Sequence, residues 1–211
     1  MAALSGVVLL VALAGAAGED DPGPEAQVSG APVAAAVRPA AQVTDPQGAS
    51  PPPGGLAPLA PSTPLRLAIP AIGVDAPLLA LGTDDRGRPE LPPYSLPGTV
   101  GWLRDSPTPG APGAAVLAGH VDTLHGPAVF WSLASVPAGA VVEITRLDGG
   151  TAVFTVDDVR TFSRQEFPNS LVRGPTSAAE LRIITCGGRF NRAEREYTGN
   201  VILFAHLTGS R

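Results

Sequence analysis

Lysine is absent from the 211 residues: all 14 basic side chains are arginine, set against 19 acidic ones for a formal net charge of -5. Without a basic stripe or an aromatic ladder, nucleic acid is excluded as a partner. Cysteine is nearly absent too. The single Cys186 rules out an internal disulfide and a cysteine-rich metal cluster. The histidines, His120, His125 and His206, lack zinc-ligand spacing with that cysteine, and Asp84, Asp85 and Glu90 read as a charged turn. No metal and no other cofactor is therefore expected. No internal repeat is present.

What remains is unevenly distributed. Residues Ala2 to Ala17 are uninterruptedly apolar or small and are followed by Glu19, Asp20 and Asp21. A spanning helix needs about 20 apolar residues and a signal-peptide core 7–15, and this run falls between them. Residues 1–18 are read as a membrane anchor or signal segment, with the rest of the chain outside the cell. Residues 19–64 are rich in proline and alanine, with clusters such as Pro51-Pro52-Pro53. Such a stretch cannot bury enough surface to offset its ordering entropy, and its prolines extend it into a spacer. Residues 65–211 have the mixed texture of a folded domain, long enough to bury a core unaided. A monomer is expected.

Within that domain, short β-rich runs alternate with turn residues. Leu65 to Ile69, Ala114 to Ala118, Ala140 to Leu147, Thr151 to Val159, Leu181 to Cys186 and Asn200 to Ala205 read as strands. Asp148-Gly149-Gly150 marks a hairpin turn between two of them. Helical signals are confined to Pro127 to Ala134 and one turn at Ser177 to Glu180. The pattern predicts an all-β sandwich or barrel.

Two runs end in chemically useful residues. Ala114 to Ala118 leads into Gly119-His120-Val121-Asp122, and Leu181 to Thr185 leads into Cys186-Gly187-Gly188. A nucleophile at a strand end is rigid yet accessible, and following glycines let a substrate backbone approach. A histidine presented the same way can exchange protons with it. A lone thiol outside the cytoplasm is exposed to oxidation, which favours a chemical reason for its presence. His125 and His206 are read as structural or surface residues.

These motifs resemble those of the sortases. Leu181-Arg-Ile-Ile-Thr-Cys186 is similar to their Thr-Leu-x-Thr-Cys signature, departing from it at Arg182 and Ile183, and Ala118-Gly119-His120 to their histidine motif. Val116 to Thr123, Gly126 to Trp131 and Thr185 to Phe190 are similar to the actinobacterial class F group, and the likeness runs from Leu65 to Arg211. The resemblance implies an eight-stranded β-barrel and a cysteine transpeptidase. Such an enzyme cleaves an LPxTG-like sorting signal through a thioester on Cys186 and passes the protein to a peptidoglycan precursor amine. It further implies His120 as proton shuttle and an arginine after the cysteine as oxyanion donor. Arg189, Arg192 and Arg195 are the candidates; Arg195 is taken as catalytic and Arg192 as substrate-binding. Thr185 is expected to offer a hydroxyl to the substrate, and Asp122 either to orient His120 or to serve as a turn acid. The alternatives are a secreted cysteine peptidase that only hydrolyses and a non-enzymatic β-barrel binding module.

Overall fold

The computed structural model describes residues 56–83 and 90–211. The apolar N-terminal run, most of the Pro/Ala-rich segment and the pair Asp84-Asp85 lie outside the described residues. Among the described residues, no helix is long and apolar enough to cross a membrane.

The described residues form ten strands: β1 (Pro64–Ile69), β2 (Val74–Leu81), β3 (Val100–Leu103), β4 (Gly113–Ala118), β5 (Asp122–Thr123), β6 (Gly126–Pro127), β7 (Val141–Arg146), β8 (Thr151–Ser163), β9 (Ala179–Asn191) and β10 (Glu196–Ser210). Eight close into a barrel in the order β1-β2-β3-β4-β9-β10-β8-β7, while β5 and β6 pair separately. Most neighbours are antiparallel; β2 with β3 and β4 with β9 run parallel. The eight-stranded barrel expected from the resemblance is the observed fold.

Closure follows from alternation along the strands. In β9 every second residue from Ala179 to Gly187 is buried, so Leu181 and Ile183 point inward while Arg182, Ile184 and Cys186 point outward. The inward set joins Leu67, Ile69, Leu117, Ile144, Phe154 and Leu203 in a continuous core. A smaller outer layer packs Ile202 and Val116 under Val172 of α1 (Asn169–Arg173). The Asp148 hairpin forms as expected: Gly150 N–H donates to Asp148 Oδ1 at 3.1 Å and Gly149 takes φ 86°.

Three expectations are corrected. Pro127 to Ala134 is not a helix; only Leu133–Ser135 makes a 3-10 turn, because Gly126–Pro127 is drawn into pairing with β5. Ser177 to Glu180 leads into β9 instead of forming a helical turn, and the α-helix lies at Asn169–Arg173. The end of the expected spacer is also tied down: Leu59 N–H donates to Gly110 O at 2.8 Å, and buried Arg146 donates to Ala60 O at 2.5 Å.

Candidate active site

The parallel ladder between β4 and β9 builds the site. Its partners, such as Ala118 and Ile184, stand 66 positions apart. His120 and Cys186 have the same separation, so they leave the ladder side by side. Gly119 N–H donates to Ile184 O at 3.2 Å, and Thr185 Oγ1 donates to Gly119 O at 2.9 Å. Phe130 N–H then donates to His120 O at 3.0 Å. Gly119 is required here, since a Cβ would stand 2.8 Å from ring carbons of fully buried Phe130. Thr185 is thereby reassigned: it is buried facing inward with its hydroxyl spent on the histidine turn, instead of facing a substrate.

The imidazole is 6% exposed. Its Nε2 lies 2.7 Å from Pro92 O, and its ring stacks on Tyr94 with centroids 4.2 Å apart. A carbonyl can only accept, so Nε2 carries a proton and Nδ1 is the basic atom of the neutral ring. The segment between β2 and β3 thus fixes the tautomer and covers one face of the ring.

Cys186 is partly buried on the outer face of β9. Burial pushes its thiol above the ordinary range; Arg164 opposes that shift, and Asp122 and Glu196 reinforce it. Asp122 is bound elsewhere: Tyr197 donates its phenol to Oδ2 at 2.5 Å, and Phe190 packs edge-on against the Tyr197 ring. Burial, and then this carboxylate, push the Tyr197 phenol up to about 12. Tyr94 is raised as well, by burial first and then by the charges at Cys186 and Asp122. The turn acid therefore belongs to the site by way of Tyr197.

The arginines fall differently from expectation. Asn200, buried on β10, stands opposite Cys186. β10 begins at Glu196, and Arg195 occupies the tight turn before it with φ 56°. Its neighbour Glu196 pairs with Asn191, five residues beyond Cys186. The turn that carries Arg195 therefore lies past the end of the β9–β10 ladder, beyond Asn191. Arg195 and Arg192 are both exposed at this hairpin tip and do not join the cysteine and histidine; Arg189, also exposed, lies on the same hairpin. Arg164, just past β8, does come close: its N–H donates to Thr198 O at 3.1 Å and its guanidinium pairs with Glu196. Sequence reading missed it because it precedes the cysteine and belongs to no motif. The length of β8 was the available signal, since a strand running beside β10 carries its end to the same rim. An open groove of about 500 Å³ lies here, lined by Phe162, Arg164, Gly188, Glu196, Tyr197 and Thr198.

His206 is exposed and pairs with Asp157 at 2.6 Å, away from this site. Glu90 Oε2 accepts from Gly82 N–H at 3.0 Å.

Comparison with known proteins is consistent with this geometry. The sortase domain model matches residues 67–208. Sortase C-1 from Actinomyces oris is similar in structure with a TM-score of 0.53 and 23% identity, covering 68% of this chain and 73% of that one. Sortase A from Corynebacterium diphtheriae gives 0.53 and 22%, covering 71% and 63% respectively. Sortase A from Listeria monocytogenes gives 0.53 and 20%, covering 72% and 90%. No curated protein matches this chain.

Proposed function

Since this chain belongs to the sortase family of cysteine transpeptidases, we propose that it cleaves an LPxTG-like sorting signal between Thr and Gly and transfers the upstream protein to a cell-wall amine. The observation that supports this reading is the β4–β9 register, which pairs Ala118 with Ile184, each two residues before His120 and Cys186 respectively. Cys186 Sγ, its proton taken by His120, adds to the threonine carbonyl carbon. The Thr–Gly C–N bond then breaks, and His120 passes its proton to the leaving amine. The resulting thioester is attacked by the acceptor amine. A new amide forms, the C–S bond breaks, and the amine's proton returns through His120 to sulfur. Splitting one amide exchange into two acyl transfers lowers each barrel-side barrier below that of direct exchange.

The motif likeness at Val116 to Thr123 and Thr185 to Phe190 supports a class F-like enzyme. The apolar run Ala2 to Ala17 supports attachment to the cell membrane with residues 65–211 as an extracellular catalytic domain. The test is incubation of the protein with a Leu-Pro-x-Thr-Gly peptide and a glycine or diaminopimelate amine, followed by mass spectrometry. A peptide–amine product, and an acyl-enzyme lost in Cys186→Ala, is the expected result. Hydrolysed peptide alone across several amines makes it a peptidase; no turnover at all leaves a binding module.

A further inference from the structure

We infer that Arg164, from the loop leaving β8, is the residue that binds the scissile carbonyl and its developing oxyanion, in place of an arginine on β10. This rests on the transpeptidase reading above. Three observations carry it.

First, β10 offers no cation beside the nucleophile. Asn200 faces Cys186, flanked by Gly199 and Val201. The arginines at the hairpin tip are exposed.

Second, the sheet brings Arg164 to the cysteine sideways. Phe162, Asn200 and Cys186 form one row across β8, β10 and β9, and Ser163, Gly199 and Gly187 form the next. Arg164 follows immediately. Two strand spacings across and two residues along separate its backbone from that of Cys186, roughly 12 Å, a gap that a long side chain and a bound carbonyl can span together. In the intervening row β10 and β9 contribute only glycine, Gly199 and Gly187. Neither position admits a larger residue: a Cβ on Gly199 would meet Phe162 O at 2.2 Å, and one on Gly187 would meet Val201 Cγ2 at 2.5 Å.

Third, the side chain is held but not used up. Arg164 and Glu196 are 26% and 27% exposed, and both line the groove beside Gly188. A guanidinium has five N–H donors, and the carboxylate of Glu196 occupies only part of the fork. Glu196 takes a donor at Nη1, and the groove that Arg164 lines reaches Gly188, two residues past Cys186. Arg164 is also the basic group whose field favours the Cys186 thiolate, against Asp122 and Glu196. His120, Tyr94 and Tyr197 complete the titratable surroundings of the sulfur.

The experiment compares Arg164→Ala, Arg164→Lys, Glu196→Gln and the rival Arg195→Ala by two readouts. One is steady-state transfer of an LPxTG peptide to a glycine amine. The other, independent of substrate, is the pH profile of Cys186 alkylation by iodoacetamide. Arg164→Ala is expected to lower kcat about 100-fold or more, the scale of one lost oxyanion donor, with a smaller change in KM. It should also move the alkylation profile to higher pH. Arg164→Lys should restore much of the alkylation profile while kcat stays low, because the forked geometry is lost. Glu196→Gln should move the profile to lower pH. Arg195→Ala should lose less than threefold. A large kcat loss in Arg195→Ala with Arg164→Ala near wild type overturns the assignment, as does an alkylation profile indifferent to both Arg164 variants. If wild type transfers no peptide, the transpeptidase reading falls and the oxyanion role with it. The alkylation profile then still decides whether Arg164 is the cation of the site.

Discussion

Raising the pH tests the electrostatics of the site with little interference, because this chain has no lysine and only two tyrosines, Tyr94 and Tyr197. Above about pH 8.5 the titrating groups are therefore Cys186 and those two phenols, all at the site. Tyr197 is pushed up to about 12, against about 10 for a free phenol. For an acid with a raised value, the folded state holds the proton longer than the unfolded state. The associated stability is fully present below about pH 10 and is lost as pH climbs through 12. Two units correspond to at most about 2.7 kcal/mol. Since Tyr197 is partly open to solvent, screening reduces this to the order of 1 kcal/mol. The assay is tyrosinate absorbance at 295 nm in Tyr94→Phe, with Trp102 and Trp131 fluorescence reporting on the fold. Half-ionisation near pH 12 is expected, falling in Asp122→Asn. A midpoint near 10 with the fluorescence of the folded protein intact would refute the Tyr197–Asp122 contact.

Three further outcomes are expected. Tyr94→Ala removes the ring stacked on His120, so modification of His120 by diethyl pyrocarbonate should accelerate at least fivefold; an unchanged rate means that Tyr94 does not cover the imidazole. Gly119→Ala forces a methyl group against the buried Phe130 ring and should cost about 1–3 kcal/mol in thermal unfolding, with a cost below about 0.5 kcal/mol contradicting the close approach. Alkylation of wild-type Cys186 should still be climbing above about pH 8.5, the free-thiol value; a plateau at neutral pH would show that the sulfur is not desolvated as described.

The barrel was legible because its strands announce themselves. The β-rich run Leu181 to Cys186 and the Asp148-Gly149-Gly150 turn are local signals, and the structure keeps both. β2 was not legible: Val74 to Leu81 contains Pro77 and lacks a clean period, and it becomes a strand only by pairing with β1 and β3. The His120 and Cys186 pair was visible as two strand ends, although nothing in sequence reveals that a parallel ladder aligns them. The start of β10 was placed four residues late, because Glu196, Tyr197 and Thr198 are polar or aromatic and Gly199 breaks the run. Tyr94 gave no signal, since its role is a tertiary stack on His120 from a turn-rich segment.

The misplaced arginine has a more general cause. Searching downstream of a nucleophile assumes that the supporting charge comes from the next strand in the chain, but a closed barrel gives each strand two neighbours and gives those neighbours others. β10 lies between β8 and β9, so the rim near Cys186 is bordered by the end of β8 as well as by the β9–β10 hairpin. Here the basic group whose field acts on the sulfur is Arg164, from the end of β8. Burial is the first cause of the raised Cys186 thiol, and the charges brought together here modulate it. Arg164 arrives with Glu196 attached, so its positive field at sulfur is partly cancelled, and Asp122 adds a second negative charge. A peptide carbonyl docking on the guanidinium would draw it from Glu196 toward the reacting atoms. The charge would then act on the oxyanion as that oxyanion forms. A cation paired at rest and redirected by substrate stabilises the transition state more than the ground state, which is the condition for raising kcat.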